Sequence, residues 1–153
     1  MVWKPHVTVA AVIEREQRFL LVEEETPSGI LFNQPAGHLD MGEDLLTAVK
    51  REVNEETAWH FTPEALLGVQ LWRKNPDSTT FLRICFTGSC YDHNPEQPLD
   101  TGIIATHWLS RDEIAAMTTR LRSPLVLQGV DDYLAGKRYP LALVQSFLDH
   151  AYV

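Results

Sequence analysis

The stretch Gly37–Trp59, GHLDMGEDLLTAVKREVNEETAW, holds an electrostatic conflict whose resolution decides how the chain is read. From about Gly42 to Thr57 its apolar residues recur at helical spacing. Glu52, Glu55 and Glu56 nevertheless crowd into five residues of that helix. Like charges three and four apart repel, at a cost of about 0.2–0.5 kcal/mol per pair. With about 100° per residue and Glu52 at zero, Glu55 lies near −60° and Glu56 near +40°. Leu45, Leu46, Val49 and Val53 fall between roughly 20° and 120°, and Thr47, Arg51 and Asn54 point the other way. The acids therefore flank the buried stripe. A solvated acidic face would sit opposite the core, with Lys or Arg interleaved every four residues. A cation held over the three carboxylates explains the placement better. Oxygen-only donors suit hard divalent ions, Mg²⁺ or Mn²⁺, and not zinc, which takes His or Cys. Acids carried on a helix also differ from the alternating loop ligands of an EF-hand.

Outward from the stretch, the rest of the chain reads as strands with a few helices. HVTVAAVIE (His6–Glu14) and RFLLVEEE (Arg18–Glu25) are β-rich runs across a short polar turn and predict a hairpin. ILFNQPAG, ended by Pro35 and Gly37, predicts one short strand leading into the helix. ALLGVQLWRK and TTFLRICFTGSCY predict two strands joined by NPDS, and IIATHWLS another. Tyr91–Gly102 is a polar, Pro-rich loop. Ser110, with Glu113 three residues on, is a capping-box signature for a short helix. SPLVLQGVDDYLAG and LALVQSFLDH predict two more helices. The expectation is one α+β domain over residues 1–153.

Composition bounds the function. The net charge of −8 argues against long nucleic acids, which need a basic footprint. It would also repel a small phosphorylated ligand, unless metal ions bridge that ligand to the carboxylates. No stretch of 18 apolar residues predicts a membrane span, and MVWKPHVTVAAVIERE lacks the apolar core and cleavage site of a signal peptide. Cys85 and Cys90 lie five apart, so on one strand they face opposite sides and cannot pair. Two buried free thiols and a cytoplasmic, reduced protein are expected.

The stretch resembles the Nudix box, G-x5-E-x7-R-E-U-x-E-E-x-G-U, in which U is a bulky aliphatic residue. Gly37, Glu43, Arg51, Glu52, Val53, Glu55 and Glu56 match in register. Ala58 and Trp59 depart from it, standing where the box has glycine and an aliphatic residue. An alanine in the left-handed C-cap position costs about 1–2 kcal/mol, unless the helix ends differently. KPHVTVA, NQPAGHL, FLR, LRSPLV and RYPL extend the resemblance toward a bacterial phosphatase branch of the family.

The resemblance implies an α-β-α sandwich around a mixed sheet, with the box forming a loop and a catalytic helix. It implies Mg²⁺- or Mn²⁺-dependent hydrolysis of phosphoanhydride bonds in a small nucleoside tri- or diphosphate or related pyrophosphate, a thiamine-pathway pyrimidine pyrophosphate among them. It implies that Glu52, Glu55 and Glu56 hold the metal and that Glu52 also serves as base or orients the attacking water. Arg51, paired with Glu43, braces the loop against the helix. Gly37 either brings the backbone, and its carbonyl, close to the metal or simply turns the chain. Asp40 suits an N-cap, and His38 is either a substrate contact or an ordinary loop histidine. A monomer is favoured over a homodimer.

Other candidates lie outside the box. Arg83 shares one face of an apolar strand with Phe81 and Cys85, and a charge there needs a buried carboxylate or a substrate phosphate. Trp72 and Arg73 could cradle a base or phosphate. Glu96 and Asp100, in the long loop, are candidates for the further carboxylate that many family members supply there. RLRSP (Arg120–Pro124) is a possible anion site, or its arginines pair with Asp131 or Asp132. The functional alternatives to a phosphohydrolase are a catalytically weak Nudix-fold module that binds a nucleotide, and an acidic interaction helix.

Overall fold

The strand His6–Val12 (β1) has no polar face, because both of its faces are covered. In the computed structural model, which describes residues 1–149, Val9, Ala11 and Ile13 pack against Ala48, Val49 and Val53 of the helix Leu45–Thr57 (α1). Ala10 and Val12 meet Val126 and Val130 on the opposite side. The two-residue period of the strand thus divides the core between two helices, one on each face.

β1 is one of eight strands among the described residues. The others are β2 (Glu14–Arg15), β3 (Arg18–Thr26), β4 (Gly29–Asn33), β5 (Ala36–His38), β6 (His60–Trp72), β7 (Phe81–Tyr91) and β8 (Ile103–Ser110). A mixed sheet runs β5-β1-β7-β6, with β1 parallel to β7 and its other pairings antiparallel. In a second sheet β3 pairs with β2, β4 and β8. α2 (Arg111–Ala115) is capped by the Ser110 hydroxyl, as the capping box predicts. α3 (Leu125–Leu134) supplies the second covering layer. The expected α+β architecture, a mixed sheet between helices, is observed.

Several boundaries differ from the expectations. The predicted first hairpin is confined to Glu14–Arg15 against β3, because β1 leaves for the other sheet and pairs with β7. ILFNQPAG is two strands, β4 and β5, which belong to different sheets and hinge at Gln34–Pro35. α1 starts at Leu45 because Asp44, not Asp40, is its N-cap: the Asp44 carboxylate accepts from the Thr47 N–H at 2.7 Å. LALVQSFLDH does not form the expected helix. Its described residues contain only a 3₁₀ turn at Leu141–Leu143, and His150 lies outside the described residues. Tertiary contacts override the local pattern there. Tyr139 bridges to Leu66 of β6, and Leu141 and Val144 pack on the α1 side of the core. Cys85 and Cys90 are buried and free, in the α3-side and α1-side cores respectively.

Candidate active site

The acids of α1 lie under the edge strand β5. Gly37 pairs with Val9, and a Cβ on it would fall 2.1 Å from the Glu52 carboxyl group. A larger residue would displace that carboxyl group, so Gly37 is a close-approach glycine and not a plain turn residue. The neighbouring Ala36 N–H donates to Glu56 Oε1 at 2.8 Å. Glu52 and Glu56 are 7% and 6% exposed, whereas Glu55 is half-buried. Burial raises the Glu52 pKa, opposed by its bond from Arg51. Burial pushes Glu56 up to about 9, against the Ala36 hydrogen bond and reinforced by the charges of Glu52, Glu24 and Asp100.

Arg51 is the brace that the resemblance implies. Its Nε and Nη2 grip the Glu43 carboxylate at 3.1 and 2.6 Å. Nη1 reaches Glu52 and Glu55 at 2.9 and 3.2 Å, and Nη2 also donates to the His38 carbonyl at 3.0 Å. The Arg51 hydrogen bonds hold Glu43 below its usual range. One planar guanidinium thus ties loop, helix start and two of the acids together. Asp40 belongs to the same loop: its N–H donates to Glu43 Oε1 at 2.9 Å.

The helix ends as a glycine would end it, but with alanine. Ala58 is left-handed at φ 60° and ψ 15°, its N–H bonded to the Asn54 carbonyl. Trp59 stacks on His93 at 4.6 Å, with the Arg15 guanidinium 4.6 Å from its ring centre. In the long loop the Asp100 N–H donates to the Glu55 carbonyl at 2.8 Å, and the charge of Asp100 is felt by both Glu52 and Glu56. That bond ties the loop to the end of α1; Asp100 and Glu96 are both exposed, and the Glu96 N–H is bonded to the Asn94 side chain.

Ala36 and Gly37 also line a cleft of about 240 Å³, together with Glu24, Phe81, Arg83 and Arg122. Arg83 is 6% exposed, and its partner within the fold is not a carboxylate: Nη2 donates to Gln34 Oε1 at 2.7 Å. Its Nε has no protein partner. Trp72 and Phe81 stack at 6.1 Å on the cleft wall, whereas Arg73 lies exposed in the loop beyond β6, away from the cleft. His38 is at the rim, its Nε2 3.3 Å from His6 Nδ1. Of the RLRSP arginines, Arg122 pairs with Glu24 at 2.5 Å, and Arg120 lies over the Phe32 ring and 3.8 Å from Glu23. The expected pairing with Asp131 or Asp132 does not occur, because Arg111 and Lys137 hold those acids.

Glu24, Asn33 and Gln34 went unmarked in the sequence reading. Glu24 looks like one of three surface acids in a strand, and nothing local distinguishes a buried amide such as Gln34. The one available signal was the phase of β3, whose alternation assigns Glu23 and Glu24 to opposite faces.

The donor set fits a hard divalent cation. The cluster contributes oxygen atoms only, and its members raise one another's pKa, a repulsion that a cation relieves. Among the described residues no three carboxylates, histidines or cysteines converge as a ready-made cage. Mg²⁺ does not require one, since it keeps several waters and takes one or two carboxylates directly. Glu52, Glu55 and Glu56 are the residues that would hold it.

Comparison with known proteins identifies the family. A family model described as NUDIX domain matches residues 4–128. The phosphatase NudJ of Escherichia coli (strain K12) is 42% identical over 145 residues, covering 95% of this chain and 94% of that protein. A NUDIX hydrolase structure from Nitrosomonas europaea superposes with a TM-score of 0.91 at 49% identity, over 94% of this chain and 98% of that one. The MutT NUDIX hydrolase of Burkholderia pseudomallei shares the fold, with a TM-score of 0.72 at 21% identity over 85% and 98% of the two chains. Motif register, family match and whole-length relatives agree that this chain belongs to the Nudix hydrolase family and is a phosphohydrolase.

Proposed function

We propose that the chain hydrolyses a phosphoanhydride bond of a small nucleoside tri- or diphosphate, or of a related pyrophosphate such as a pyrimidine pyrophosphate, with Mg²⁺ or Mn²⁺. One observation supports this above the rest. The Ala36–Gly37 backbone belongs both to the acid cluster and to the cleft that holds Arg83. An acid-held cation and a buried guanidinium would therefore face the same ligand, and a phosphate chain is the ligand that needs both.

A divalent ion bound at the glutamates supplies Lewis-acid activation of water and neutralises charge on the phosphate oxygens. The chain's own residues do the rest. Glu52, Glu55 and Glu56 would hold the ion, Glu52 and Glu56 lying buried beneath β5 and Glu55 half-buried. Arg51 keeps the Glu52 and Glu55 carboxylates oriented. By the resemblance, Glu52 also accepts or directs the proton of the attacking water. Trp72 and Phe81 offer a flat apolar wall against which a base or pyrimidine ring can lie.

The test is release of phosphate or pyrophosphate with Mg²⁺ from a panel of nucleotides and pyrophosphates, for the wild type and Glu56→Gln. Turnover by the wild type and its loss in the variant, with the fold retained, is the expected result. Equal rates would overturn the role of Glu56. Nucleotide binding without turnover in either protein would favour the binding module instead.

A further inference from the structure

Arg83 is a buried cation that the fold leaves unneutralised. Among the described residues one of its five N–H donors is engaged, through Gln34, and its buried Nε has no partner. Cys85, two residues along the same strand face, cannot compensate it, since burial raises that thiol to about 11 and keeps it neutral. Glu24 lines the same cleft but is engaged by Arg122. A buried charge without a counter-charge is costly, and a fold tolerates it where a ligand completes it.

Gln34 is built to hold that cation in place without cancelling it. The side chain is 1% exposed, and its Nε2 donates to the Val126 carbonyl in the first turn of α3 at 2.7 Å. A carbonyl accepts only and a guanidinium donates only, so the amide has one possible orientation: nitrogen toward Val126, oxygen toward Arg83. α3 makes room for it. Gly129 sits inside the helix, where glycine costs about 1 kcal/mol relative to alanine. A Cβ there would come 3.4 Å from Gln34 Nε2 and 3.1 Å from Val12 Cγ2.

We propose that Gln34 is a positioning residue that presents Arg83 as an unneutralised cation on the cleft floor, where it takes phosphate oxygens of the substrate apart from those at the α1 glutamates. This rests on the phosphohydrolase reading of the cleft. A carboxylate at position 34 would neutralise Arg83 and could no longer donate to the Val126 carbonyl. An amide tethers it and leaves the charge to the ligand.

The decisive variant is Gln34→Glu, nearly isosteric, compared with Arg83→Gln and the double variant in the full chain. Two readouts are needed: the KM and kcat of the Mg²⁺ reaction, and the affinity for inorganic pyrophosphate in EDTA by calorimetry. Gln34→Glu should lower the melting temperature, because its carboxylate cannot donate to the Val126 carbonyl, and in the folded protein it should raise KM by at least about tenfold with kcat changed far less and weaken pyrophosphate binding to the same degree. Arg83→Gln should do likewise, and the double variant should be no worse than either single one. Wild-type KM and pyrophosphate affinity in Gln34→Glu would overturn the proposal, as would additive losses in the double variant. If Gln34→Glu does not fold, undiminished pyrophosphate affinity in Arg83→Gln overturns it equally. The two readings fail separately. A wild type that binds pyrophosphate through Arg83 but hydrolyses nothing defeats only the phosphohydrolase reading. An active wild type with an indifferent Gln34→Glu defeats only this one.

Discussion

The two charged elements that border the Ala36–Gly37 backbone are built in opposite ways. On α1 the charges are crowded, mutually repelling and partly tied down by Arg51. On the floor, Arg83 is solitary, buried and held by a neutral amide. The first wall has more negative charge than it can satisfy and the second has a positive charge that nothing answers. Both deficits border the Ala36–Gly37 backbone, and a cation–phosphate pair would answer both.

The sharpest way to break the acid wall is Glu56→Gln, which keeps the Ala36 hydrogen bond in shape but removes the charge. Turnover should fall by roughly 10²–10⁴-fold, the range for losing a positioned acid or base, with circular dichroism unchanged. A loss below tenfold would move the chemistry to Glu52 and Glu55.

The same residue should mark the metal-free protein with an unusual pH dependence. Its folded pKa, about 9, stands above the ordinary value of 4.5. The stability it contributes is therefore fully present below about pH 4.5 and is lost as pH rises toward 9, by up to about 1.4 kcal/mol per pH unit. Glu43 runs the other way: held low by Arg51, it contributes stability above its unfolded pKa and loses it as pH falls. Melting curves in EDTA should show wild type losing stability from pH 6 to 9 relative to Glu56→Gln, and added Mg²⁺ should close the gap. Parallel curves would mean that Glu56 is already ionised and the acid wall already relieved.

These two walls also differ in how far they can be read from sequence, and the reason is physical. Arg51, Glu52, Glu55 and Glu56 lie within six residues of one helix, whose periodicity sets their relative directions, and Glu43 stands just ahead of that helix. Their placement beside the apolar stripe and the brace from Arg51 to Glu43 were legible on that ground, and the motif supplied the register. The floor is assembled from Gln34, Arg83 and α3, which meet only through pairing and packing across 92 residues of sequence. Arg83 was recognisable as an anomaly on an apolar strand, but its partner was not, because an amide among turn residues has no local signature. The strand directions were legible, whereas the partition into two sheets was not. That depended on where the chain bends, at Ile13 and at Gln34–Pro35, and not on alternation within any strand.

Breaking the brace is the next smaller perturbation. Arg51→Lys keeps the charge but cannot grip Glu43 through two nitrogens while reaching Glu52, Glu55 and the His38 carbonyl. Loss of these charge-assisted bonds should cost about 1–3 kcal/mol, seen as a melting temperature lower by several degrees. Because Arg51 also orients two of the acids, kcat should fall more than KM rises. A stable Arg51→Lys with unchanged kcat would leave the acids oriented by α1 packing alone.

The smallest effect belongs to the helix end, where Ala58 stands in for the glycine of the motif. In its left-handed conformation alanine is strained by about 1–2 kcal/mol, which Ala58→Gly would relieve. Two effects oppose the gain. Glycine loses about 0.4–1 kcal/mol more backbone entropy on folding. Ala58 is also 2% exposed, so its methyl group contributes about 0.8 kcal/mol of burial. The sum is a change within about 1 kcal/mol of zero, and kcat and KM should not move. The departure from the motif therefore persists because burial offsets strain, with Trp59 anchored by Arg15 and His93 just beyond it. A stabilisation well above 1 kcal/mol on chemical denaturation would show that the methyl packs poorly. A loss of activity would show that the helix end, and not only its acids, sets the geometry of the site.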